Sequence, residues 1–104
     1  MIVLQVPEET PEDEDIFVTG DFNAWNTSNP LYKLKRGEDG KYRITLALES
    51  HDCEFKFTRG TWQTVECKQD GNEVKNRSWP KDPPTECLEL TVESWLDFHP
   101  EMMT

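Results

Sequence analysis

The sequence of 104 residues is poor in cysteine, in basic side chains and in long apolar stretches. Its three cysteines, Cys53, Cys67 and Cys87, form no Cys-x-x-Cys pair, and their wide spacing indicates neither a zinc site nor a disulfide framework. We expect each of them to be a small apolar residue on or beside a strand. One disulfide with one free thiol remains an open alternative if the protein is secreted.

Positive charge is also scarce, with 11 Lys and Arg against 21 Asp and Glu and a formal net charge of −10. Phosphate groups repel such a chain, so nucleic acids and anionic membrane surfaces are excluded as partners. No apolar run is long enough to cross a bilayer, and the first residues lack the pattern of a signal peptide. We expect a soluble monomer, secreted if it belongs to a larger extracellular enzyme and otherwise cytoplasmic.

The sequence also lacks patterns that are typical of catalysis. Neither His51 nor His99 accompanies a Ser or Cys motif suited to nucleophilic attack, and both are expected at the surface. No glycine-rich nucleotide motif occurs, and the acidic residues 8–15 lack the central glycine of a calcium loop. The sequence therefore predicts no catalytic residue, no metal site and no cofactor, and a small glycan-active enzyme is the least favoured hypothesis.

What the chain does contain is a repeated alternation of apolar and polar residues, the period of half-buried strands. Strands are predicted over residues 2–6, 16–19, 31–35, 41–48, 53–58, 61–66 and 88–93. Turn-forming residues lie between them, and the proline-containing stretch 72–86 is predicted to be a loop or an edge. This pattern favours an all-β, antiparallel, immunoglobulin-like β-sandwich of about seven strands. The domain is expected to span residues 1–97, with 98–104 as a tail or linker.

Tryptophan is abundant for so short a chain, at positions Trp25, Trp62, Trp79 and Trp95. A small sandwich buries one or two tryptophans, so at least one is expected at the surface. Trp25 and Trp62 each lie among polar residues beside a predicted turn, whereas Trp95 is expected to be structural and Trp79 could serve either role. The apolar face of a glucose ring can lie on an exposed indole, which buries roughly 100 Å² of apolar area and is worth about 2–3 kcal/mol.

Several ordered motifs resemble the starch- and glycogen-binding carbohydrate-binding modules. The sequence G-D-F-N-A-W of residues 20–25 is similar to family 48, while E-F-K-F-T-R of residues 54–59, the pair Asn76-Arg77 and the closing residues 91–95 are similar to family 20. The resemblance covers nearly the whole chain. It implies a non-catalytic module that binds α-glucan, such as starch, glycogen or maltooligosaccharide, and tethers a linked catalytic domain to the polysaccharide.

The resemblance also implies which residues bind the glucan. Trp25 and Lys56 match a stacking tryptophan and a hydroxyl-binding lysine, Trp62 matches the second stacking tryptophan of family 48, and Asn76 matches a polar residue that completes the site. One position departs from the family 20 pattern, which has a tryptophan where this chain has Cys67. The second stacking ring therefore either comes from Trp62 or is absent.

Two further polar residues, Arg59 and Glu66, are assigned to the same carbohydrate-binding site. The alternative for this pair is an ion pair across a hairpin, a surface contact that would be worth little. The alternative for the whole chain is a protein–protein interaction sandwich, in which the same aromatic patch is an interface hot spot.

Overall fold

A computed structural model describes residues 1–46, 53–79 and 87–102. The strands within these ranges are β1 Ile2–Gln5, β2 Phe17–Gly20, β3 Lys35–Arg36, β4 Tyr42–Ile44, β5 Glu54–Thr58, β6 Glu66–Cys67, β7 Arg77–Ser78, β8 Leu88–Thr91 and β9 Ser94–Trp95. The 3₁₀ helices are Asp21–Asn23, Pro30–Tyr32, Trp62–Thr64, Leu96–Phe98 and Pro100–Met102. The described chain is therefore all-β, as predicted, but its strands are shorter and more numerous than the seven expected.

The strands form three sheets with the orders β3-β4-β1-β8, β2-β5-β7 and β6-β9. All strand pairs are antiparallel except β1 and β8, which run parallel with Ile2 opposite Leu88 and Leu4 opposite Leu90. The expectation of a wholly antiparallel architecture is thus wrong at this pair. A parallel pair needs a long connection rather than a hairpin, and nearly the whole chain lies between these two strands.

The predicted alternation brings apolar side chains of both larger sheets into one core. Ile2 and Leu4 of β1, Val18 of β2, and Phe55 and Phe57 of β5 are all buried and belong to a single apolar cluster. The rings of Phe55 and Phe57 meet edge to face, with their centroids 5.8 Å apart. The core therefore combines side chains of both larger sheets. The turns at the strand ends lie outside this core, where they can present side chains to a ligand.

Two of the four tryptophans serve this core. Trp95 is fully buried, and its indole N–H donates a hydrogen bond of 2.8 Å to the hydroxyl of Thr10. The predicted structural role of Trp95 is thereby confirmed. Trp79 is half-buried and packs against Phe55, with ring centroids 6.1 Å apart.

Two predicted strands are replaced in part by 3₁₀ helices because local side chains satisfy the backbone. At the first, Pro30 begins the helix and the side chain of Asn29 accepts the backbone N–H of Leu31 at 3.0 Å. At the second, the hydroxyl of Thr64 accepts the N–H of Thr61 at 3.3 Å, so Trp62 lies in a helical turn instead of a strand. Strand pairing resumes only at β3 and β6.

The predicted turn at residues 38–40 is confirmed, and it closes the hairpin between β3 and β4. Gly40 has a φ of +80°, a conformation that favours glycine. Arg43 donates hydrogen bonds to both carboxylate oxygens of Asp39, at 3.0 and 2.7 Å, and these bonds hold the pKa of Asp39 well below its usual value. The predicted strand of residues 41–48 is present as β4, whereas Leu48 and His51 lie outside the described residues.

The stretch 72–86 was predicted to be a loop or an edge, and its described part contains β7 at the edge of a sheet. Residues 80–86 lie outside the described ranges. Beyond residue 97, Phe98 packs against the core and His99 shares a hydrogen bond of 2.9 Å with the hydroxyl of Ser94. The division at residue 97 stays a prediction. No helix in the described ranges has the length and apolar character required to cross a lipid bilayer.

Candidate functional site

The turn that carries Trp25 follows directly from the end of β2. A Cβ atom on Gly20 would lie 2.4 Å from the carbonyl oxygen of Glu54, so only glycine fits there. The side chain of Asn23 accepts the N–H of Gly20 at 3.0 Å and thereby closes the turn. Trp25 then adopts a φ of +59°, and its indole N–H donates to Asp21 at 3.1 Å. The turn thus fixes both the backbone and the ring of Trp25.

Trp62 lies on the neighbouring turn and faces Trp25. This turn begins at Gly60, whose φ of +108° again favours glycine. The two indole rings have centroids 6.3 Å apart and planes inclined by 35°. Trp25 is half-buried, whereas Trp62 is 46% exposed. The two rings, which we call the Trp25/Trp62 pair, form a bent aromatic surface.

Hydrogen bonds between the two turns hold this pair together. The hydroxyl of Thr27 donates to the carbonyl of Gly60 at 3.1 Å, and the hydroxyl of Thr58 donates to the carbonyl of Thr27 at 2.8 Å. The N–H of Gly60 donates in turn to the hydroxyl of Thr58 at 3.3 Å. Residues that are distant in the sequence therefore position one ring relative to the other. No sequence motif identified Thr27 or Thr58 as part of the site.

Lys56 lies on β5 and keeps its ammonium group inside the fold. Only 8% of its side chain is exposed, and its Nζ lies 3.5 Å from a carboxylate oxygen of Glu73, whose side chain is 88% exposed. Thr19 faces Lys56 across the strand pair, and its hydroxyl is buried with no hydrogen-bond partner among the described residues. Lys56 alternates with Phe55 and Phe57 along β5 and so points away from their face of the strand, and its side chain is nevertheless buried.

Beside Trp62 lies a cavity of about 370 Å³, which we call the Cys67 pocket. Its walls are formed by Lys56, Trp62, Val65, Glu66, Cys67, Gly71, Glu73 and Leu96. Its lining combines apolar side chains with one ammonium and two carboxylates. The sequence predicted three of these residues, Lys56, Trp62 and Glu66, while Glu73 and Leu96 carry no sequence signal that singles them out.

Glu66 is buried and fully engaged with protein partners. Its carboxylate accepts bonds from Nε and Nη2 of Arg77 at 2.7–3.1 Å and from the backbone N–H of Phe57 at 2.9 Å. Arg77 also donates to the carbonyl of Thr91 at 2.7 Å. These bonds tie β5, β6, β7 and β8 together on the side of the Cys67 pocket.

Arg59 is buried in a second ionic cluster. Its guanidinium donates to both carboxylate oxygens of Glu14 at 3.0 Å and to Asp97, and it lies over the rings of Trp95 and Phe98 at 5.3 and 5.4 Å. The alternative of an Arg59–Glu66 ion pair is therefore wrong, because each residue pairs with a different partner. Arg59 does not line the Cys67 pocket.

Two other residues of interest flank the site. Asn76 is exposed and directly precedes β7, which pairs with Glu54 and Phe55 next to Lys56. Cys67 is buried as a free thiol, and burial raises its pKa above the usual value. A protonated thiol is a poor nucleophile, so Cys67 acts as a small apolar wall of the pocket. No group of three or more His, Cys, Asp or Glu side chains in the described ranges could hold a metal ion.

The described residues form an all-β domain in which a pair of indole rings lies next to a pocket that the buried Lys56 lines, and the chain is similar to short segments of amylolytic enzymes. The chain is 40% identical over 95 residues to an alpha-amylase of Niallia circulans, in a match that covers 90% of the chain and 7% of the amylase. It is 34% identical over 97 residues to an amylopullulanase of Thermoanaerobacter thermohydrosulfuricus, with 88% of the chain and 6% of that protein covered.

An amylopullulanase of Thermoanaerobacterium thermosulfurigenes is 33% identical over 69 residues, which are 65% of the chain and 4% of that protein. No protein-family model and no solved structure matches the chain. The chain thus spans only 4–7% of the length of these relatives, and it is similar to one small part of large amylolytic enzymes.

Proposed function

We propose that this domain is a non-catalytic carbohydrate-binding module, of the family 20 or family 48 type, with an immunoglobulin-like β-sandwich fold. Its ligand is α-glucan, such as starch, glycogen or maltooligosaccharide. The observation that carries this proposal is the Trp25/Trp62 pair, with ring centroids 6.3 Å apart and planes inclined by 35°. A bent pair of apolar rings can stack two glucose units of one curved chain, each unit contributing about 2–3 kcal/mol.

Polar groups beside the rings account for recognition of hydroxyls. Lys56 offers an ammonium whose described ionic partner is the exposed Glu73, and the amide of Asn76 is exposed near it. Arg59 and Glu66 contribute to the site through the fold, since their side chains are already bound to protein partners. With two stacked units the affinity falls in the micromolar to millimolar range, about −8 to −4 kcal/mol.

The similarity to short segments of an alpha-amylase and two amylopullulanases supports a role within a larger enzyme. A weak glucan site on a linked module raises the effective concentration of polysaccharide at the catalytic domain. We therefore infer a monomeric accessory module that works beside a catalytic domain and shares that enzyme's compartment, which is extracellular if the enzyme is secreted.

Calorimetric titration of the domain with β-cyclodextrin tests this function. The native chain should bind saturably, and Trp25→Ala and Trp62→Ala should each weaken binding at least about tenfold, because each removes one stacking surface. Leu31→Ala is the matched control, since Leu31 is 84% exposed on a different turn and its truncation should leave binding unchanged. Circular dichroism of each variant shows whether the fold is retained.

The same titration tests whether Lys56 contributes to glucan binding. Lys56→Met should reduce affinity while Lys35→Met, an exposed lysine on β3, should not. If the folded native chain binds neither β-cyclodextrin nor maltoheptaose saturably, the glucan proposal is wrong. Capture of a defined protein partner through Trp25 and Trp62 would then favour the interaction-sandwich alternative.

A further inference from the structure

We propose that Asp21 is a positioning residue that sets the angle between the rings of the Trp25/Trp62 pair, and that this angle determines which glucans the domain prefers. The inference rests on the proposed function. Asp21 is exposed, begins the 3₁₀ helix Asp21–Asn23 directly after β2 and lies four residues before Trp25. No motif of the sequence assigned a role to it.

Asp21 uses both oxygens of its carboxylate to join the Trp25 turn to the neighbouring strand. One oxygen accepts the indole N–H of Trp25 at 3.1 Å, and the other accepts the backbone N–H of Glu54 at 2.9 Å. Glu54 begins β5, which pairs with β2 in the same sheet. Since hydrogen bonds to a charged acceptor are stronger than those between neutral groups, Asp21 anchors the Trp25 ring to the sheet.

The geometry of the two rings requires such an anchor. Aromatic pairs favour offset-stacked or edge-to-face arrangements, whereas the planes of Trp25 and Trp62 are inclined by 35°. Attraction between the rings therefore does not by itself select the observed angle. A hydrogen bond at the edge of one indole fixes the rotation of that ring about its side-chain torsions, which contact between apolar faces does not do.

The backbone that carries the ring is strained. Ala24 has a φ of +55° and Trp25 a φ of +59°, and within the described residues no other side chain except glycine has a positive φ. A Cβ atom disfavours this left-handed conformation, so the turn keeps it only while surrounding bonds hold it. The backbone N–H of Trp25 donates to the carbonyl of Gly20 at 2.9 Å, and Asp21 holds the other end of the same residue. Loss of Asp21 should therefore let the turn relax and the ring rotate.

The ring angle affects ligand choice because glucans differ in how freely their curvature adapts. β-Cyclodextrin is a closed ring with fixed curvature, whereas maltoheptaose is a flexible chain whose linkages can rotate to follow a different surface. A rigid surface favours a ligand that already has the matching shape, since neither partner then loses conformational freedom on binding. By fixing the angle, Asp21 favours a pre-curved glucan over a flexible chain.

Calorimetric titration of Asp21→Ala with both ligands tests this role. Affinity for β-cyclodextrin should fall at least about fivefold, and affinity for maltoheptaose should fall less than about twofold. Asp39→Ala is the matched control, because Asp39 is also an exposed aspartate that accepts hydrogen bonds in a turn, but on the hairpin of β3 and β4. Equal losses for the two ligands, or no loss for either, would overturn the role of Asp21 in specificity.

A spectroscopic measurement reports the ring angle without any ligand. Two indoles with centroids 6.3 Å apart couple when they absorb light, and the resulting couplet in the circular dichroism spectrum depends on the angle between them. Trp62→Ala identifies this couplet by abolishing it. Folded Asp21→Ala should show an altered couplet, whereas Asp39→Ala should retain the native one. An unchanged couplet in Asp21→Ala would show that this residue does not set the angle.

Trp25→Phe tests the same bond from the side of the donor and keeps the proposal open to refutation if Asp21→Ala does not fold. It retains an aromatic ring, lacks the indole N–H and leaves the bond between Asp21 and Glu54 in place. Its affinity should fall more for β-cyclodextrin than for maltoheptaose, and the opposite order would contradict the proposal. Where the double variant folds, Asp21→Ala should cost less than about twofold in further affinity, because the bond it removes is already absent.

The two proposals fail in different ways. Failure of the native chain to bind either ligand would reject the proposed function. The couplet of Asp21→Ala would still show whether Asp21 holds the Trp25 ring at its angle.

Discussion

At the scale of single residues, three buried charged side chains have different roles. Lys56, Arg59 and Glu66 are each less than 10% exposed, and all three were assigned to the site from the sequence. The structure separates them, because Arg59 and Glu66 have buried or half-buried partners while the described ion-pair partner of Lys56 is the exposed Glu73. A charge that is buried without a strong partner is costly, and such a cost is typical of ligand sites.

These partners could not be predicted from the sequence. Arg59 contacts Glu14 and Asp97 at separations of 45 and 38 residues, and nothing in the local pattern selects these two among the 21 acidic residues. The placement of Trp25 in a turn and of Lys56 on a strand was predictable, since both follow from short contiguous stretches of sequence. The Cys67 pocket was not, because its wall combines residues of several turns and strands.

Arg59→Met should lower the free energy of unfolding by about 2–3 kcal/mol, because it removes charge-assisted hydrogen bonds from a buried guanidinium. Chemical denaturation followed by tryptophan fluorescence measures this change. Arg43→Met is the matched control, since Arg43 forms its ion pair with Asp39 at the surface, where solvent screens the charges. An equal loss of unfolding free energy in both variants would show that the buried cluster around Arg59 stabilises the fold no more than a surface ion pair does.

At the scale of elements, alternation of apolar residues predicted β1, β5 and β8 well. Of these strands only β8 alternates between half-buried and exposed residues, whereas β1 and β5 are buried on both faces over most of their length. The pattern failed at residues 30–32 and 62–64, where proline or threonine side chains stabilise a 3₁₀ turn. Side-chain hydrogen bonds of this kind compete with strand pairing, and they leave apolar residues such as Trp62 at the surface.

The hydrogen bonds between the two aromatic turns yield a prediction at this scale. Thr58→Val should lower affinity for β-cyclodextrin about fivefold, because it removes the bond to the carbonyl of Thr27 and leaves the N–H of Gly60 unpaired. The control is Thr45→Val, which alters an exposed threonine directly after β4, outside the two aromatic turns.

A double-mutant cycle with Trp62→Ala separates positioning from general stability. If Thr58 acts by placing the two rings together, Thr58→Val should cost little further affinity once Trp62 is absent. The same fivefold loss in the Trp62→Ala background would show that Thr58 acts on the fold and not on the Trp25/Trp62 pair.

At the scale of the whole molecule, the strong negative charge bears on which ligands can be bound. The described chain has a radius of gyration of 13.2 Å, as expected for one domain of about 100 residues, and the full sequence carries a net charge of −10 on that small body. A neutral glucan interacts little with this charge, whereas charged partners feel it over roughly 10 Å at about 0.1 M salt.

Affinity for β-cyclodextrin should therefore change less than about twofold between low and high ionic strength, because stacking and hydrogen bonding are not screened by salt. Calorimetric titration at two salt concentrations measures this, with the enthalpy corrected for dilution. A steep dependence on salt would indicate a charged ligand and contradict a neutral polysaccharide as the partner of this domain.

The parallel pairing of β1 with β8 has a consequence for how the domain acquires its structure. Ile2 lies opposite Leu88, so β1 finds this neighbour only after the residues between the two strands have been synthesised. Closing so long a loop before the contact can form costs conformational entropy and makes folding slower than in a helical domain of equal size. During synthesis, the edge of β1 that pairs with β8 therefore stays unpaired until β8 has been made. Completion of this sheet is a late event in folding.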